Sequence, residues 1–78
     1  MGNVNWITTK QLIENLKKDS GREHEYHRCI GGYVSSTRWM IYDPKRGQIG
    51  VSVNIGYDWY TEEELIKYYG DAFWHRDA

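Results

Sequence analysis

The sequence predicts an α+β domain: a three-stranded antiparallel meander sheet, with room for a short fourth strand, and N- and C-terminal helices on one face, in the order αβββα. Three observations predict it. Two helix-start signatures, Thr8 with Gln11 and Thr61 with Glu64, each precede residues of helical spacing. Between them lie stretches rich in β-branched and aromatic residues that alternate with polar ones. Asp43-Pro44-Lys45-Arg46-Gly47 separates two of these stretches with hairpin-loop chemistry, because Pro44 presets its own φ and Gly47 tolerates a positive one.

The first helix is predicted over residues 9–19. Thr8 is its N-cap and Gln11 completes a capping box, while Ile7 and Leu12 are spaced to close a hydrophobic staple over that cap. Leu12, Ile13 and Leu16 make an apolar stripe, and Lys17 and Lys18 complement the carbonyl end of the helix dipole. Gly21 follows, suited to a left-handed stop.

A strand is predicted over residues 25–36, with Gly31-Gly32 marking a bulge or a close backbone approach inside it. Tyr26, Ile30 and Val34 share one parity; His27, Cys29, Tyr33 and Ser35 share the other. The second strand, residues 38–43, alternates Trp39 and Ile41 with Arg38, Met40 and Tyr42. The third, residues 48–55, alternates Ile49, Val51, Val53 and Ile55 with Gln48, Gly50, Ser52 and Asn54. Residues 56–60 are a turn or the short fourth strand. Thr61 then caps a second helix over residues 62–69, whose acidic triplet Glu62-Glu63-Glu64 lies at the positive end of its dipole. Gly70 costs about 1 kcal/mol within a helix, yet Ala72 and Phe73 keep helical spacing, so residues 71–76 are expected to continue it.

A chain of 78 residues is read as one domain, residues 1–78. Cys29 is the only cysteine, so no disulfide framework supports it. Four Trp, seven Tyr and one Phe compensate, since each large ring buries roughly 150–250 Å². No apolar run approaches the ~20 residues that span a bilayer, and the residues after Met1 resemble no signal segment. A cytoplasmic protein with no membrane partner is the expectation. Ten basic against eleven acidic residues leave a net charge of −1, whereas nucleic-acid binders usually carry a basic excess.

Strand parity assigns the sheet faces. The helices are expected to cover Ile30, Val34, Trp39, Ile41, Ile49, Val51 and Val53. The open face is then expected to present His27, Cys29, Tyr33, Ser35, Arg38, Met40, Tyr42, Gln48, Ser52 and Asn54. Tyr, Met and Arg are enriched at the centres of protein interfaces. In Tyr57-Asp58-Trp59-Tyr60, Tyr57 is the ring left over once Trp59 and Tyr60 have inward roles. The candidate protein-binding residues are therefore Tyr33, Arg38, Met40, Tyr42 and Tyr57. The competing structural reading is that the same rings only stiffen the sheet through cross-strand pairs.

Chemistry is harder to find. His24, His27 and Cys29 have no common zinc spacing, and His75 is distant in sequence, so no metal and no cofactor is expected. His27 and Cys29 share a parity, but two residues along a strand are about 7 Å apart at the backbone, with no third group to orient a base. No phosphate loop or nucleophile elbow is present. His27, Arg38 and Tyr42 on one face would suit a small metal-free ribonuclease, but such an enzyme needs a basic surface to hold its polyanion. In its total character (short, neutral, rich in Tyr and Trp, free of catalytic motifs) the chain is similar to the small inhibitors made by bacteriophages, including anti-CRISPR proteins. That resemblance carries no aligned motif and transfers no residue role. The expectation is a non-enzymatic protein-binding module, an inhibitor or regulator acting by occlusion, with another protein as partner and a homodimer as a further possibility. The alternative is a single-stranded nucleic-acid binder that stacks bases on the open sheet.

Overall fold

The computed structural model describes residues 6–30, 33–70 and 72–76, without the side chains of residues 30, 33 and 35. The elements run β1 (Ile7–Thr8), α1 (Thr9–Lys18), β2 (His24–Ile30), β3 (Tyr33–Asp43), β4 (Gln48–Ser52), β5 (Tyr57–Tyr60), α2 (Glu62–Tyr69) and β6 (Phe73–His75). Among the described residues, six strands form one antiparallel sheet in the order β1-β6-β2-β3-β4-β5.

Both helices start as their sequences dictate. Thr8 accepts from the Gln11 amide and the Gln11 side chain accepts from the Thr8 amide; Thr61 and Glu64 repeat the arrangement. Each box satisfies two backbone donors that a helix start otherwise leaves open. Ile7, the staple residue of α1, and Tyr60, which precedes the α2 cap, pack against the core. Gly21 has φ +81° and donates from its amide to the Tyr42 carbonyl at 2.9 Å, so it ties the α1 exit to the sheet. At the β3–β4 hairpin, Gly47 has φ +64° and its amide reaches the Asp43 carbonyl at 2.8 Å.

The core lies between the helices and one sheet face. Leu12, Ile13 and Leu16 of α1 and Leu65 and Tyr69 of α2 meet Tyr26, Met40, Ile49, Val51 and Trp74 of the sheet. Trp74 and Tyr26 are the largest fully buried side chains. Their burial is a main source of stability for a short chain with its one cysteine free. Thr9 joins three elements: its buried hydroxyl donates to the Tyr69 carbonyl at 2.8 Å and accepts from the Trp74 indole N–H at 3.0 Å. A tryptophan can then be fully buried without leaving its donor unmet.

The α+β class and the antiparallel sheet agree with the sequence; the three-stranded meander and the αβββα order do not. The short fourth strand is β5. β1 and β6 are additional, and β6 occupies residues expected to be helical. Helix α2 ends at Tyr69, with Gly70 as its C-cap. A Cβ at Gly70 would stand 2.7 Å from the Ile66 carbonyl oxygen, closer than real Cβ contacts come. Beyond it, Phe73 and His75 alternate with Trp74, and that period of two sends Trp74 into the core.

The predicted strand over residues 25–36 is two strands. Ile30 pairs with Tyr33 in the antiparallel β2–β3 ladder, and Gly31-Gly32, the expected bulge or close approach, lies outside the described residues. The register shift lies instead between Arg28 and Cys29.

The sides of β3 are also the reverse of the expectation. Met40 pairs with Val51 and Tyr42 with Ile49, so Met40 and Tyr42 lie on the helix side. Both parities of residues 38–43 hold apolar groups, so alternation alone leaves the choice open. Pairing with β4, whose inward residues are Ile49 and Val51, decides it. Of the residues assigned to the covered face, Ile49 and Val51 are buried, whereas Val34, Trp39 and Val53 are exposed.

A candidate docking face on the uncovered side of the sheet

The strand registers define rows of side chains across the face away from the helices. One row is Phe73, Cys29 and Val34; the next is His75, His27 and Thr37. Glu25 stands opposite Trp39, and Tyr57 opposite Ser52. Ile41, Gly50 and Trp59 form a further row. Trp6 joins the face by setting its ring edge-on to His75 at 4.7 Å, and His75 meets His27 at 4.9 Å. His27 Nδ1 lies 2.8 Å from the Thr37 hydroxyl.

Two parts of this face differ. Toward β5 the chain covers itself. The Trp59 ring lies on Gly50, where a Cβ would come within 2.9 Å of the indole and 3.1 Å of Ile41 Cγ2. Glycine is needed at position 50 for that close approach. The Arg46 guanidinium lies 4.3 Å from the Trp59 ring centroid and 3.4 Å from an Asp43 carboxylate oxygen. Tyr57 packs beside Trp59 at 5.4 Å and donates its hydroxyl to Glu23. That hydrogen bond, helped by partial burial, raises the Tyr57 pKa above the usual phenol value, because it stabilises the neutral form.

Elsewhere on the face apolar side chains are about half exposed. Val34 keeps 57% of its surface exposed, Phe73 50%, Trp39 44% and Trp6 42%. These apolar side chains share one face with no helix over it, the condition under which an exposed face is a candidate interaction surface; the His75–His27–Thr37 row separates Val34 and Phe73 from Trp39.

The sequence-predicted residues fall differently. Met40 is fully buried in the core, and Tyr42 is half-buried against it. Neither stands on the open face, for the register reason given above. Arg38 pairs with buried Tyr26 on the helix side of the sheet, and its guanidinium donates to the Thr37 carbonyl at 2.9 Å. The Tyr33 side chain lies outside the described residues. Of the four whose side chains are described, Tyr57 is the one on the open face. The trio His27, Arg38 and Tyr42 does not converge, since His27 is on the opposite side from the other two. Trp39 and Phe73 were missed because one was assigned to the core and the other to a helix. An alternative pairing of Met40 with Val51 was the available signal for the first.

His24 stands apart from the other histidines, 2.7 Å from an Asp19 carboxylate oxygen. Among the described residues no three His, Cys, Asp or Glu side chains gather as a metal set would. Nor, among the described residues, is any helix long and apolar enough to cross a membrane. No family model matches the chain, and neither a curated protein nor a solved structure shows significant similarity to it.

Proposed function

We propose that this chain is a small protein-binding module, an inhibitor or regulator that occludes its partner through the uncovered sheet face. The observation that carries the reading is the bare apolar group of Trp6, Val34, Trp39 and Phe73 on one side of the sheet. Rigid strands hold these rings at fixed spacing, so docking costs little ordering of the chain. Aromatic anchors of this kind supply most of the energy in many protein interfaces. The surface that covers them would remove them from water without any covalent step or cofactor.

A second reading, stacking of single-stranded nucleic acid, draws on the same rings. Against it, Glu25 stands directly opposite Trp39, where a phosphate backbone would meet a carboxylate.

The test is a reconstituted complex. A partner captured from the source cell is purified and titrated against the wild type, Trp39→Ala and Phe73→Ala. Both substitutions should weaken binding at least tenfold, about 1.4 kcal/mol, with unchanged melting temperature. A complex that tolerates both removes the face from consideration. Tight binding of oligothymidine that falls steeply with salt would favour the nucleic-acid reading instead.

A further inference from the structure

Trp39, on β3, and Trp59, on the edge strand β5, both lie on the uncovered face, and they end differently. Over Trp59 the chain has assembled a three-part unit: an indole ring, the Arg46 guanidinium 4.3 Å from its centroid, and the Asp43 carboxylate 3.4 Å from that guanidinium. A cation on an aromatic face with a carboxylate beside it gains from both contacts. Around Trp39 two of the three parts recur. The ring is 44% exposed, and Glu25 is its direct cross-strand neighbour. Glu23 lines the same surface depression, as do Asp19, Arg22, His24, Glu25 and Arg76.

Three guanidiniums stand near Trp39: Arg22 and Arg76 line the same depression, and Arg38, its neighbour in the strand, donates to the Thr37 carbonyl. Arg22 is 3.9 Å from Asp19, and Arg76 lies over the Tyr26 ring at 5.8 Å. Glu23 accepts from the Tyr57 hydroxyl, a neutral donor, and Glu25 has no ion pair among the described residues. The depression carries the carboxylates of Asp19, Glu23 and Glu25 against the guanidiniums of Arg22 and Arg76, and the ion pairs of this region fall on Asp19, not on Glu23 or Glu25. A guanidinium or ammonium beside Glu25 is the part that would complete the unit at Trp39.

We propose that the Trp39 end of the face is a receptor for a cationic side chain, an arginine by preference, presented by a partner protein. The planar guanidinium stacks on the indole and directs its N–H groups at the Glu25 carboxylate, with Glu23 supplying a second negative charge. Arginine suits the site better than lysine because it stacks and donates in one plane. This rests on the docking reading above and specifies the chemistry the partner must bring to it.

The probe is N-acetyl-arginine amide, with N-acetyl-citrulline amide as its uncharged isostere, titrated into the isotope-labelled protein. The indole N–H resonance of Trp39, assigned through Trp39→Phe, is followed. Arginine should produce a saturable shift and citrulline none. Glu25→Gln should weaken the arginine site by on the order of tenfold, as loss of a charge-assisted contact does, and Glu23→Gln by less. An equal response to citrulline, or an affinity indifferent to Glu25→Gln, overturns the proposal. So does oligothymidine binding at Trp39 that Glu25→Gln strengthens. If arginine fails while a partner complex still depends on Trp39, the cationic receptor falls and the docking face stands. If arginine binds while the partner complex ignores Trp39, the receptor stands and the docking face falls.

Discussion

On the helix side of the sheet Trp74, Met40 and Ile49 are fully enclosed, whereas on the other side Val34, Phe73 and Trp39 keep about half of their surface in water. Residue type does not distinguish the two sides, since each holds Trp and β-branched groups. What differs is the company: α1 and α2 bring Leu12, Ile13, Leu16 and Leu65 to one side and nothing to the other. The same kind of ring is therefore a structural element on one face and an available contact on its reverse.

The largest expected effect lies at Trp74. Trp74→Ala should cost about 3–5 kcal/mol, out of the roughly 4–12 kcal/mol available to a chain of this length. Urea unfolding followed by circular dichroism should show a protein near or past its threshold. A mild loss would mean that the covered face is less essential than its burial implies. Thr9→Val removes the acceptor for Trp74 and the donor to Tyr69 while keeping the shape. It should cost about 1–3 kcal/mol, measured the same way.

Gly50→Val tests the self-covered part of the open face. The added atoms meet Trp59 and Ile41, and overpacking of this kind costs about 1–3 kcal/mol. Pairing it with Trp59→Ala should return part of that loss, and strict additivity would refute the close approach as the cause. Trp39→Ala, by contrast, should change stability by no more than about 0.5 kcal/mol. A larger loss would show that the bare rings support the fold and are not reserved for a partner.

The smallest effect is at Tyr57. Its folded pKa is raised above the unfolded value, so the Glu23 bond contributes below the ordinary phenol pKa. That contribution is lost as pH rises through the folded value. Tyr57→Phe should remove a late-titrating phenol from the ultraviolet titration and flatten this alkaline loss. An unchanged titration would break the assignment.

Local chemistry made some parts of the fold readable and pairing made others opaque. Thr8 with Gln11, Thr61 with Glu64, and the Asp43–Gly47 loop specify their own geometry within a few residues, and each appears as the sequence predicts. Residues 73–75 do not, because a strand of three residues acquires its identity from β1 and β2, which lie far away in sequence. Met40 and Trp39 are the clearest case for the site. Either can face inward on an alternating strand, and only the contact with Val51 chooses. A one-residue choice of that kind puts Arg38, Met40 and Tyr42 on the helix side, while His27, Ser52 and Tyr57 stay on the open face.

The placement of β6 between β1 and β2 has a consequence for how the chain is made. Until residues 73–75 emerge during synthesis, β2 has a bare edge, β1 has nothing to pair with, and the cavity beneath α1 lacks its largest side chain. Assembly of this sheet must await that segment, because contacts such as Ile7 with Trp74 join residues far apart in sequence. Nascent chains halted before Trp74 should accordingly remain protease-sensitive and demand chaperone protection, and resistance should arrive in a single step.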